Sequence, residues 1–198
     1  MSTDGVDNSK RRFLTAATAA VGAVGAGFVA VPFLKSWQPS AKALAAGAPV
    51  EVDISKLQPG QLMRVLWRKK PVWIVHRTEQ NLKDLEGLAG ELADPNSEAP
   101  QQPEYIKGTA RALKPKYLVA EGLCTHLGCS PTYRPEVGAA DLGGDDWKGG
   151  FFCPCHGSKF DLSGRVYAGV PAPTNLVIPP YTYVSDTRLI IGVDEGAA

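Results

Sequence analysis

The sequence predicts an all-β head, a small antiparallel β-sandwich or set of sheets with a helix-and-loop insertion, carried on a single N-terminal transmembrane helix. Three observations predict it: a long uncharged stretch near the N-terminus, short apolar runs of period two after Pro49, and frequent turn residues, with Gly 21 and Pro 16 among 198 residues. That length holds one ordinary domain plus a small appendage. Lys+Arg 21 against Asp+Glu 20 gives a formal net charge of +1, which argues against a nucleic-acid binder. The charges are uneven. Residues 1–49 carry five basic and two acidic groups, leaving 16 basic and 18 acidic groups in residues 50–198.

From Phe13 to Leu34 the chain runs 22 residues without a charge. As a helix it would span about 33 Å, enough for a hydrocarbon core of about 30 Å, and residues 13–36 are assigned as the anchor. Lys10, Arg11 and Arg12 precede it, so the positive-inside rule puts residues 1–12 in the cytoplasm and everything after the anchor outside it. Pro32 is expected to end the helix, with Trp37 as an interfacial aromatic. Ser9-Lys10-Arg11-Arg12-Phe13-Leu14 resembles a twin-arginine export signal. Ala41-Lys42-Ala43 would fit a cleavage site, but the apolar run exceeds an ordinary signal-peptide core of about 7–15 residues, and this favours a retained anchor. Residues 37–49, rich in Ala with Pro, Gly and Ser, read as a flexible hinge or tether.

Residues 50–198 form the predicted head. Val50–Ile54, Leu62–Trp67 and Val72–His76 read as strands, the last two joined by the polar turn Arg68-Lys69-Lys70-Pro71. Thr78 is the expected N-cap of a short helix through Leu82, Leu85 and Leu88. Ala93–Pro103 reads as a loop. Further strands are expected at Tyr117–Ala120, Trp147–Phe152, Arg165–Tyr167, Leu176–Ile178, Tyr181–Ser185 and Arg188–Val193. His76, on a strand and away from any cysteine, reads as structural.

All four cysteines and the other two histidines fall in two short stretches, Cys124-Thr125-His126-Leu127-Gly128-Cys129 and Cys153-Pro154-Cys155-His156-Gly157-Ser158. Each follows a predicted strand, which would let the two loops meet at one end of the sheet. Structural zinc uses C-x₂₋₄-C pairs and four ligands, but six candidates are present here and Cys124-x-His126 is tighter than zinc spacing. A c-type haem needs C-x-x-C-H, which the second stretch misses by one residue. A mononuclear iron oxygenase needs two histidines and a carboxylate beyond any cluster ligands, and only His76 would remain. A [2Fe–2S] centre on two cysteines and two histidines uses four groups and leaves two cysteines over.

The two stretches resemble the C-T-H-L-G-C and C-P-C-H-G-S boxes of the high-potential Rieske iron–sulfur subunits of quinol–cytochrome c reductases, the cytochrome bc1 complexes. The likeness extends from export signal and anchor through tether to head. It implies one [2Fe–2S] Rieske cluster, with Cys124 and Cys153 on one iron and His126 and His156 on the other, and a Cys129–Cys155 disulfide. Such a bond persists only outside the reducing cytoplasm, where the anchor topology independently places the head. The resemblance further implies that His156 contacts quinol and accepts its proton, with His126 alongside, and that Ser158 donates to a cluster sulfur. Phe160 stands where many relatives have a tyrosine that donates to a ligand cysteine. Gly169-Val170-Pro171-Ala172-Pro173 resembles the proline-rich loop that covers the cluster; Pro171 and the apolar Leu127 would shield it. Neutral imidazoles in place of two thiolates lift Rieske potentials to about −150 to +300 mV, against about −400 mV for plant-type clusters. The implied function is transfer of an electron from quinol to a c-type cytochrome, with cytochrome b and cytochrome c1 type subunits as partners in a dimeric complex and a head that shuttles on its tether. The head would be periplasmic and the anchor would cross the inner membrane. The alternatives are a Rieske subunit of another periplasmic oxidase of the arsenite-oxidase type, a structural zinc module, and a ferredoxin with four cysteine ligands.

Overall fold

The computed structural model describes residue 5 and residues 7–194, so the outer ends of the expected 1–12 and 50–198 segments lie outside the described residues. The chain divides into two compact units, Met1–Ala45 and Ala46–Ala198.

The first unit is dominated by α1, Asn8–Ser36. It begins earlier than the uncharged run because Asp7 caps it, its carboxylate accepting from the amides of Ser9 at 2.9 Å and Lys10 at 3.2 Å. Lys10, Arg11 and Arg12 therefore sit in its opening turns. None of its residues is buried in protein, as a helix that faces lipid requires. Pro32 does not end the helix, contrary to the sequence expectation. It lies inside α1, which continues to Ser36 and closes on Trp37, whose amide donates to Leu34. A second helix, α2, spans Ala41–Ala46 within the expected flexible tether. Ser40 starts it: the Ala43 amide donates to its hydroxyl and the Leu44 amide to its carbonyl. The alanines that suggested a spacer also have the strongest helix propensity.

Among the described residues the head holds nine strands: β1 Val50–Asp53, β2 Leu62–Trp67, β3 Lys70–His76, β4 Tyr117–Glu121, β5 Thr132–Arg134, β6 Gly150–Phe152, β7 Lys159–Asp161, β8 Tyr181–Tyr183 and β9 Arg188–Ile191. They form three antiparallel three-stranded sheets, in the orders β1-β9-β8, β2-β3-β4 and β5-β6-β7. In the second sheet Val65 faces Val72, and Ile74 faces Val119 on β4, so a continuous apolar strip runs through β3. Trp73 stacks on Phe151 of β6 at 4.9 Å between centroids, joining the second and third sheets through one core. Between β3 and β4 lies α3, Glu79–Gly87, capped as expected by Thr78 in a reciprocal box with Asn81. The helix stops at Gly87, short of Leu88, and a 3₁₀ turn follows at Ala89–Glu91. Leu85, Leu88 and Leu92 pack with Trp147, Leu162 and Tyr167 in a second cluster.

Three strand expectations need correction, and two strands were not expected. Residues 147–149 precede β6 as a loop, although Trp147 is buried. Arg165–Tyr167 contributes two isolated bridges, Phe160↔Val166 and Leu92↔Tyr167, instead of a strand. Leu176–Ile178 is buried without joining a sheet, its amides engaged by Gly164 and Gln101 carbonyls. Strands β5 and β7, three residues each, went unexpected.

Loops this buried expose carbonyls that need donors, and arginines supply them. Arg77 donates to Pro115, Ala110 and Leu162 carbonyls and to the Ser163 hydroxyl. Arg111 donates to Ser163, Gly164 and Leu176 carbonyls and to Gln102. Burial pulls both guanidiniums down to about 10, still well above neutral pH. Arg165 is fully buried against Asp161, Nε to Oδ2 at 2.7 Å, and also reaches the Leu85 carbonyl. The Asp161 carboxylate accepts two further amides, those of Ser163 and Arg165. Asp161→Ala therefore strands a buried cation and two amides, and is expected to cost about 3–5 kcal/mol, read as a lower urea midpoint at unchanged slope.

Candidate metal centre

The two cysteine–histidine loops are the same turn built twice. In the first, the Cys124 amide donates to the Cys129 carbonyl at 2.7 Å and the Gly128 amide to the Cys124 carbonyl at 2.9 Å. In the second, the Cys153 amide donates to the Ser158 carbonyl at 2.8 Å and the Gly157 amide to the Cys153 carbonyl at 2.9 Å. Each turn closes through a glycine in the left-handed region, Gly128 at φ 78° and Gly157 at φ 79°, where a side chain would be strained. The turns place their groups differently. Position three holds His126 in one and Cys155 in the other, position four Leu127 and His156, position six Cys129 and Ser158.

The first loop joins β4 to β5 and the second joins β6 to β7; because Thr132 of β5 pairs with Phe152 of β6, the two loops meet at one end of the third sheet, as expected. A disulfide between Cys129 and Cys155, Cα atoms 6.7 Å apart, ties them together. Cys124 and Cys153 remain free thiols, both buried. Burial, with Cys124 close by, pushes the Cys153 thiol up, while the amides of Cys155 and His156 pull it down. The Sγ atoms of Cys129, Cys153 and Cys155 lie within 4.8 Å of one another, but the disulfide consumes two of them, so this trio is no ligand set. The imidazoles of His126 and His156 meet edge to face, 4.7 Å between centroids. His126 Nδ1 is buried with no hydrogen-bond partner, whereas the His156 residue is exposed.

Two free thiols facing one another, an orphaned inward ring nitrogen and a second imidazole beside it are the donors that a [2Fe–2S] cluster on two cysteines and two histidines requires. A buried ring nitrogen without a partner is costly in an ordinary core. His76, by contrast, is far from this chemistry: its Nδ1 lies 2.7 Å from the Leu57 carbonyl and its ring packs on Tyr117.

The proline segment is strapped to both loops. The Ala172 amide donates to Ser158 Oγ at 3.0 Å, and Thr125 Oγ1 donates to the Thr174 carbonyl at 2.6 Å. Ser158 is fully buried, and its acceptor role toward Ala172 adds to the donor role expected of it. Thr125 escaped the sequence reading, since a hydroxyl next to a cysteine does not reveal a partner 49 residues away. Outside this strap Leu127 is 71 % exposed, and Pro154, Cys155, His156, Pro171 and Pro173 are exposed as well, making an apolar tip with an imidazole in it. Phe160 is fully buried in the same core cluster as Cys124, Cys153 and Ala172.

Known proteins resemble this chain in sequence along its length. A family model described as "Rieske [2Fe-2S] domain" matches residues 97–182, and one described as "Ubiquitinol-cytochrome C reductase Fe-S subunit TAT signal" matches residues 1–40. The ubiquinol-cytochrome c reductase iron-sulfur subunit of Allochromatium vinosum is 63% identical over 198 residues, covering 100% of this chain and 95% of that protein. The subunit of the same description from Blastochloris viridis is 46% identical over 192 residues, 96% of this chain and 97% of the relative. A solved structure described as "Hyperthermophilic respiratory Complex III" aligns with a TM-score of 0.48 and 28% identity over 88% of this chain and 98% of that one. With identity this high along the whole length, and the paired loops at its centre, the chain belongs to the Rieske iron–sulfur subunits of ubiquinol–cytochrome c reductase, which carry one [2Fe–2S] cluster.

Proposed function

We propose that the tip built by residues 124–129, 153–158 and 169–173 takes one electron and one proton from quinol and passes the electron to a c-type cytochrome. In this reading Cys124 and Cys153 hold the inner iron, and His126 and His156 hold the outer one. The carrying observation is the convergence of two free buried thiols and two imidazoles at an exposed apolar tip, with the remaining cysteines spent on a disulfide. Identity to ubiquinol–cytochrome c reductase subunits along the whole chain disfavours the arsenite-oxidase type, the zinc module and the four-cysteine ferredoxin.

When bound, the cluster supplies a one-electron acceptor at a potential raised by its two neutral ligands. The chain's own groups do the rest. The amides of Cys155 and His156 stabilise negative charge on Cys153. His126 turns its Nδ1 inward and sits half-buried against the His156 ring. His156, exposed beside it, is placed to accept a hydrogen bond from a quinol hydroxyl and then to hold its proton. Leu127 and Pro171 exclude water around that contact. Cytochrome b and cytochrome c1 type subunits supply the quinol pocket and the electron acceptor within a dimeric complex. The chain is membrane-anchored through α1; we place the anchor in the inner membrane, with residues 1–12 cytoplasmic and the head periplasmic.

Three outcomes test this. A redox titration of the reduced EPR signal should give a midpoint that is flat near neutrality and falls by about 59 mV per pH unit per proton in alkaline buffer, because reduction makes an imidazole bind its proton more tightly; a midpoint flat at all pH excludes proton coupling. In Phe160→Tyr a new hydroxyl next to the ligand cysteines, worth about 1 kcal/mol, should raise the midpoint by tens of millivolts; no rise places the ring elsewhere. Arg11→Lys with Arg12→Lys should leave the folded head in the cytoplasm, as cell fractionation would show, and unchanged export rules out the twin-arginine route.

A further inference from the structure

The hairpin of β2 and β3 carries a charge pattern that neither the core nor the metal centre uses. From Lys56 to Thr78 there is no acidic residue, and Arg64, Arg68, Lys69 and Lys70 all fall on this hairpin, within a head whose groups are 16 basic against 18 acidic. Lys70 pairs with Glu121 at 2.8 Å. Among the described residues no carboxylate pairs with Arg64, Arg68 or Lys69. Arg64 and Leu66 share the outer face of β2, and Leu66 is 70 % exposed.

The turn is built against its own preference. Trp67↔Lys70 is the last pair, which leaves a two-residue loop with Arg68 at φ 49° and Lys69 at φ 62°. Two left-handed residues make a type I′ turn, for which Asn-Gly is favoured and long side chains are penalised. Instead the chain places two cations there and rests the Arg68 guanidinium on the Trp67 ring, 4.4 Å from its centroid. Strain of this kind collects at functional surfaces.

Its position is informative too. The Lys70–Glu121 pair and the bond from the Gly122 amide to the Pro71 carbonyl fasten the turn to the end of β4, three residues before Cys124. The turn and the first cysteine–histidine loop therefore leave the same end of the second sheet.

We propose that Arg64, Leu66, Arg68 and Lys69 form a docking surface for anionic phospholipid headgroups, engaged when the cluster end approaches the bilayer. This rests on the quinol reading above, since quinol dissolves in the membrane and its oxidation brings the tip to that surface. An exposed leucine between arginines suits the boundary between headgroups and acyl chains, with the alkyl group inserted and the guanidiniums on phosphates. An acidic protein surface would satisfy the cations but leave Leu66 unused.

The test uses the intact complex in oriented multilayers of phosphatidylcholine, with and without phosphatidylglycerol. The variant is Arg68→Asn with Lys69→Gly, which removes both charges while giving the turn its favoured residues, so folding is not endangered. The orientation dependence of the reduced-cluster EPR signal reads the ratio of membrane-side to distal heads. Phosphatidylglycerol should raise this ratio for the wild type by about fivefold per unpaired hairpin charge, and the variant, which keeps only Arg64 of the three, should show no more than the single-charge rise of about fivefold. A wild type indifferent to lipid charge overturns the proposal. So does a variant that shifts equally in both lipids, which would mark an acidic protein as the partner. A wild type whose cluster gives the reduced signal but is not reduced by quinol would sink the quinol reading itself, and this inference with it.

Discussion

The head depends on a covalent tie between loops that a sheet joins at one side only. The first loop arrives from β4 in the second sheet and leaves into β5, whose three-residue ladder with β6 begins at Thr132↔Phe152 and so holds only its far end beside the second loop. The Cys129–Cys155 bond locks the loops themselves together, and closing a loop across 26 residues also restricts the unfolded chain. Two thiols and two imidazoles then converge at the end of that ladder. The Ser158 and Thr125 bonds to the proline segment add a cap that touches both loops at once. The tip is thus held by one disulfide and two strap bonds, with His156 exposed on it. An electron carrier gains from this stiffness, because little has to reorganise when charge arrives.

The repeated turn shows how one backbone yields different chemistry. Both loops close with the same two amide bonds and the same left-handed glycine, so their first cysteines, Cys124 and Cys153, occupy matching buried positions. The remaining positions break the match. Leu127 and His156 stand at equivalent sites, one apolar and one protic, and both are exposed. Cys129 and Ser158 likewise share a site, the first spent on the disulfide and the second on the cap.

Behind the tip, three buried arginines do the work that regular ladders do elsewhere. A chain so rich in glycine and proline folds into loops whose carbonyls turn inward. Arg77, Arg111 and Arg165 gather those carbonyls from segments far apart in sequence, and one carboxylate, Asp161, sits among them. The guanidinium suits this role because its donors fan out in a plane and stay charged.

The sequence by itself determined the anchor, the longer strands, the Thr78 cap and the two cysteine–histidine loops. Each of these is local: apolar period, helix caps and short spacings are set by neighbours in the chain. It missed β5 and β7 because three residues are too few for a period of two to register, and it overread Arg165–Tyr167 and Leu176–Ile178 because apolar residues report burial, not ladder partners. It also expected Pro32 to end a helix that runs on, since a bilayer-length helix tolerates one missing amide bond among many. Only the tertiary structure decided that the ladder of β5 and β6 brings the two loops together, that Thr125 and Ser158 strap the proline segment, and that Arg77, Arg111 and Arg165 are interior. Those contacts join residues tens of positions apart, and the free energy that selects them exists only once the chain has closed on itself.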